Sequence, residues 1–325
     1  LFGLERIREH GPLFVLGVFG TVIALERAVA LARPWGFVAP TLGAAAAIML
    51  VASVPGAPWL ASSSALALAL LNGAIVRRQS APFTWLMLLG SALLLLGDVS
   101  WALGRPVFQV VPTWIAFFVL TIVAERLELS RLAPTPRWAT RALVVLGLLL
   151  AASSVGAVLG WPPAVRGLGA AMAVLGAWQL RFDLARRTLR QPGLPRFAAV
   201  GVLLGAAWLV ATGVLLVWGG LPAGGRLYDA ALHGVFVGFV LSMVFAHAPI
   251  ILPSVARVRV PFSRVLYVPL AVLHVGLLGR VAGDLLPSAP IRQGGAVLNA
   301  VALALFVLAV VVARLTEPDA ALRPA

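Results

Sequence analysis

Apolar runs of about 20 residues, nearly free of charge, recur from one end of this chain to the other, and each is long enough to cross a bilayer as an α-helix. Lipid offers no water to pair with backbone N–H and C=O groups, so a spanning segment must satisfy them internally, as a helix does. Composition removes the competing reading of a soluble core. With 61% hydrophobic and 11% charged residues and a mean hydropathy of +1.02, 325 residues cannot clothe an ordinary globule in polar surface. The fold class that follows is all-α, a polytopic transmembrane helix bundle forming one domain over residues 1–325.

Breaks at Pro, Gly and Arg clusters place eleven spans, near 12–32, 36–54, 58–76, 83–104, 107–124, 138–159, 164–182, 197–219, 228–252, 262–286 and 291–314. The connections 33–35 and 55–57 are short and predict antiparallel hairpins, while Pro134-Thr-Pro136 and Gln191-Pro-Gly-Leu-Pro195 mark longer turns. The chain opens on Leu1 rather than Met, and Leu1-Phe-Gly-Leu-Glu-Arg-Ile-Arg8 lacks the apolar core of a signal peptide. A preceding helix is therefore expected, which would bring the full bundle to twelve.

A net charge of +14 invites a nucleic-acid reading until the arginines are placed. Connections after odd-numbered spans hold Arg33, Arg77, Arg78, Arg126, Arg131, Arg137, Arg141, Arg181, Arg186, Arg187, Arg190, Arg196, Arg257, Arg259 and Arg264, with Arg314 and Arg323 after the last span. Connections after even-numbered spans hold only Arg105, Arg166, Arg226 and Arg292. That asymmetry is the positive-inside rule: it puts the C-terminus in the cytoplasm and accounts for the basicity without nucleic acid. All 25 basic residues are arginine, and with the abundance of Ala, Leu, Val, Gly and Pro this points to a GC-rich bacterial genome and a bacterial inner membrane. The absence of cysteine excludes disulfides, iron–sulfur clusters and thiolate-ligated or covalently attached heme.

The four histidines, His10, His233, His247 and His274, all lie within or at the mouths of spans. Ionisable groups at membrane depth are costly and usually face the bundle interior, which makes them functional candidates, and imidazole is a common axial ligand of heme iron. With the orientation above, His10, His233 and His274 fall in the outer half. His247 follows His233 by fourteen residues, about 21 Å deeper on nearly the same face at 1.5 Å per residue, so one metal cannot take both. Two imidazoles from different helices could grip a b-type heme, with Gly234, Gly238, Gly279 and Gly283 letting a macrocycle or a neighbouring helix approach. Structural hydrogen bonding explains each histidine alone equally well. Arg280 could meet a heme propionate with its fork or pair with Asp284 one turn on; Asp98 could assist proton movement or bond Trp101. Glu26-Arg27 and Glu125-Arg126 read as snorkelling pairs at cytoplasmic helix ends, and Trp35, Trp59 and Trp161 as interfacial anchors.

The stretch Leu232-His233-Gly-Val-Phe-Val-Gly-Phe-Val-Leu-Ser-Met243-Val-Phe-Ala-His247, followed by Leu277-Leu-Gly-Arg280-Val, resembles the NnrS family of heme- and copper-containing membrane proteins linked to nitric-oxide metabolism. The opening His10-Gly-Pro-Leu-Phe-Val-Leu-Gly resembles the helix that carries a low-spin heme ligand in subunit I of heme–copper oxidases, proteins of about twelve helices. The matching stretches cover about a quarter of the chain and are mostly apolar. Four histidines are too few for a complete oxidase of that design, which needs six, and the Gly-His-Thr-Gly segment associated with NnrS proteins is missing, which puts copper in question. What the resemblance implies is heme b held by His10 and His233, with His274 next and His247 as a further metal candidate. The implied activity is electron transfer or nitric-oxide binding, with a diatomic gas or a redox protein as partner. Two other classes stay open: a proton-coupled secondary transporter using Glu26, Asp98, Arg280 and Asp284, and a non-catalytic membrane assembly subunit.

Overall fold

The computed structural model describes residues 10–132, 135–255 and 261–316. The opening Leu1–Arg8, Pro134, Arg257, Arg259 and Arg323 lie outside the described residues. Every regular element among those described is helical: α1 (His10–Leu31), α2 (Pro34–Val51), α3 (Ala57–Arg78), α4 (Pro82–Ala102), α5 (Val107–Leu129), α6 (Arg137–Val158), α7 (Pro162–Phe182), the single turn α8 (Ala185–Thr188), α9 (Leu194–Gly219), α10 (Arg226–Pro253), α11 (Arg264–Leu285) and α12 (Ala289–Thr316). Ten of these are long and apolar enough to cross a membrane. The expected span at 164–182 is helical as α7 but is not among the ten, because Pro162, Pro163, Arg166, Gln179 and Arg181 dilute its apolar run. The protein is a multi-pass membrane protein, and its exposed surface is what lipid requires. Ile48, Leu66, Leu70, Val145, Leu148, Val275, Leu278, Val307 and Leu308 all stand out from the helices.

Contacts divide the chain into two compact units, Leu1–Glu128 with Val144–Leu168, and Leu129–Leu143 with Gly169–Ala325. In the first, α5 is the central helix: every residue from Val110 to Ala124 is buried, and its Phe118 meets Phe19 of α1 edge-on at 6.2 Å. Helices α1 to α4 pack as sequential neighbours, the first two pairings being those that the short connections 33–35 and 55–57 predicted. In the second unit, α9 lies along α10, α10 along α11, and α11 along α12. Small residues let α7 and α9 approach closely: a Cβ on Gly169 would stand 2.6 Å from the Gly213 carbonyl, and one on Gly176 2.8 Å from that of Ala206.

Two helices depart from α geometry at the residues that carry the family resemblance. Leu13–Gly20 in α1 and Gly234–Leu241 in α10 are π-helical; the first follows His10-Gly11-Pro12, and the second begins at the glycine of His233-Gly234. π turns are rare and concentrate at functional sites. A wider turn rotates less per residue, so the shared face of His233 and His247 expected from a uniform 3.6-residue period does not carry across this stretch.

Candidate functional site

Asp229 and His233 stand one turn apart at the start of α10, before the π segment. The His233 Nδ1 lies 2.8 Å from the Asp229 carbonyl and 3.3 Å from its Oδ1. A carbonyl only accepts, so Nδ1 carries the proton and the lone pair of the neutral ring resides on Nε2. The same Asp229 receives Arg280 of α11 through two parallel bonds, Nε to Oδ2 and Nη2 to Oδ1, both 2.9 Å. The expected partner of Arg280 one turn along its own helix is thus not the one it grips. Asp284 is buried with no exposed side-chain surface, faces Asp229, and has Arg292 Nη1 at 3.9 Å; neither of its oxygens has a hydrogen-bond partner among the described residues.

His274 has a different role. The Trp208 indole N–H, on α9, donates to its Nδ1 at 3.0 Å, so the ring proton of the neutral form resides on Nε2, which lies 3.2 Å from Ser242 Oγ on α10. The Ser242 hydroxyl donates onward to the Gly201 carbonyl at 2.8 Å. Both ring nitrogens are engaged in a chain that ties α9, α10 and α11, and in this arrangement His274 offers no lone pair to iron. His247 repeats the local geometry of His233, its Nδ1 lying 2.8 Å from the Met243 carbonyl. His10 belongs to the first unit, where it is exposed at the head of α1.

The first unit has polar features of its own. The Trp114 indole donates to Asp98 Oδ1 at 2.8 Å, with Trp101 stacked edge-on against Trp114, so the tryptophan that bonds Asp98 is on α5. Asp98 lines a narrow cleft that the π segment borders through Leu16, Gly17 and Gly20. Arg27 pairs with Glu26 at 2.8 Å, as its neighbourhood predicted, and also with Glu125 of α5 at 3.4 Å. Trp35, Trp59 and Trp161 are exposed at helix ends, where interfacial anchors sit.

Of the sequence candidates, the second unit brings His233 and Arg280 onto one carboxylate, while His274 is engaged elsewhere and His247 lies fourteen residues further along α10. With Nε and Nη2 committed to Asp229, Arg280 can turn only Nη1 toward a propionate while that fork is kept. Among the described residues no three His, Asp or Glu side chains gather as a metal site. The sequence reading missed Asp229, Trp208 and Ser242. Asp229 was within reach, since its four-residue spacing to His233 is the helical pairing distance; the other two act across helices and leave no local trace.

No curated protein and no solved structure shows significant similarity to the chain. One family's sequence model matches residues 3–315, and on that match the chain belongs to the family described as Domain of unknown function (DUF8744).

Proposed function

We propose that the protein is a heme b-binding protein of the bacterial inner membrane, with His233 supplying an axial ligand through Nε2. The observation that carries this reading is the Asp229–His233 pair. Metal-ligating histidines commonly donate their other ring nitrogen to a carbonyl or carboxylate, which fixes tautomer and ring orientation and raises ligand basicity. Here Nδ1 bonds the Asp229 carbonyl, and the carboxylate of the same residue stands 3.3 Å from it. The π segment that begins immediately after His233 supports the reading as well. His10 is the corresponding candidate of the first unit, and His247, oriented like His233, remains a further one. A heme with an open position binds a diatomic gas such as nitric oxide, and one with two imidazole ligands carries electrons.

The test is a reduced-minus-oxidised optical spectrum of the protein purified in detergent from heme-sufficient cells. A Soret band that is lost in His233→Ala and retained in His274→Ala is the expected result. Colourless, monodisperse wild-type protein would refute heme binding, and loss in His274→Ala alone would move the ligand. Carbon monoxide binding to the reduced form reports an open position, and metal analysis addresses copper.

A second reading, proton-coupled transport, is favoured by Asp284, a buried carboxylate that has no hydrogen-bond partner among the described residues and faces a second carboxylate. Proton uptake on addition of substrate to proteoliposomes, abolished in Asp284→Asn, would support it over heme.

A further inference from the structure

At the end of α7 the second unit holds a cavity of about 320 Å³. Four arginines, Arg181, Arg186, Arg187 and Arg190, line it, all exposed and all within ten residues of chain. Among the described residues none of the four forms an ion pair. The one carboxylate in the lining, Asp183, is buried, and its Oδ1 accepts the Ala185 N–H at 2.8 Å, which closes the turn into α8. Arg186 Nη1 donates to the Arg181 carbonyl at 3.3 Å. Like charges crowded around one concavity repel each other unless an anion joins them.

An aromatic pair beside the cavity fixes its level in the membrane. The Arg181 guanidinium lies 5.0 Å above the Phe182 ring, and Phe182 meets Trp138 edge-on at 5.3 Å. Trp138 is 62% exposed at the first turn of α6. An exposed tryptophan at the end of an apolar helix marks the level of the lipid headgroups, and guanidinium forks match phosphate oxygens two at a time. With α7 counted as a crossing helix, the arginines also belong to the side that the charge asymmetry assigns to the cytoplasm, whose leaflet carries anionic lipid.

We infer that this cavity binds a phosphate-bearing anion with at least two negative charges, such as the headgroup of a diphosphatidyl lipid or a free pyrophosphate. Four arginines against one aspartate leave an excess of positive charge that a zwitterionic headgroup does not neutralise.

The experiment uses the full chain, delipidated in a neutral maltoside detergent and titrated with diphosphatidylglycerol or phosphatidylcholine, with retained lipid counted by native mass spectrometry. Diphosphatidylglycerol is expected to bind in preference, and Arg186→Gln/Arg190→Gln to weaken it about 30-fold, the effect of two arginines at a charged headgroup. Arg33→Gln/Arg77→Gln, which removes the same charge from the first unit, should change binding less than about two-fold. Equal retention of both lipids, or equal losses in both double variants, overturns the inference. Pyrophosphate supplies the second arm. If it binds and displaces the lipid with the same dependence on Arg186 and Arg190, the site stands with a soluble occupant; failure to compete assigns it to the headgroup. Should the double variant not elute as a monodisperse peak, Arg187→Gln carries the same comparison at about five-fold.

Discussion

Asp229 serves three neighbours: it accepts twice from Arg280, anchors His233 and faces Asp284. Removing it leaves a partly buried guanidinium without its fork partner, so Asp229→Ala should cost on the order of 3 kcal/mol in detergent unfolding. Asp284→Asn should be neutral or stabilising in the same assay, because the carboxamide keeps the shape, removes a carboxylate facing Asp229 and can donate to it. A large loss in Asp284→Asn would show that its charge is needed in the fold. Trp208→Phe should cost about 1–3 kcal/mol by leaving His274 Nδ1 buried and unpaired. At this scale the sequence was a partial guide. It named His233, His274 and Arg280, but the Arg280–Asp229 bond joins residues 51 apart on different helices, and spacing along a helix shows only partners three or four residues away.

Helix positions were largely legible, since Ala57–Arg78, Arg264–Leu285 and Arg226–Pro253 match the expected 58–76, 262–286 and 228–252 to within a few residues. The π segments were not, because their residues are as apolar as an α-helical span and the wider turn is set by what packs beside it. The glycines that follow the two histidines make this testable. A Cβ on Gly234 would overlap Thr212 of α9, whereas one on Gly11 has no atom of the described residues within 4 Å. Gly234→Ala should therefore destabilise by about 1–3 kcal/mol through overpacking, and Gly11→Ala should be neutral or slightly stabilising through its better helix propensity. Thermal unfolding of the two variants side by side checks this, and equal shifts would contradict it. Gly238, whose Cβ would stand 2.6 Å from Trp208 Cγ, ties the π segment to the residue that bonds His274.

Over the whole molecule, the apolar helices and their exposed Leu, Val and Ile surface define a membrane protein, and the arginine distribution defines its expected orientation. The chain has no cysteine, so single introduced thiols report topology without background. In intact cells a membrane-impermeant maleimide should label Leu103→Cys, after α4, and reach Gln79→Cys, after α3, only once the membrane is opened. The reverse pattern would invert the orientation. The sequence by itself determined the class, the helix positions and that expectation, because a membrane helix satisfies its backbone within about 20 residues and its cost in lipid is a local sum. Only the tertiary structure decided which carboxylate Arg280 grips, which nitrogen of His233 and His274 carries the proton, and where the helices widen into π turns. The Arg280–Asp229 fork and the Trp208–His274–Ser242 chain join groups from distant parts of the chain, where the need to satisfy buried polar atoms outweighs local preference, whereas the His233 proton is set by a carbonyl four residues back on its own helix.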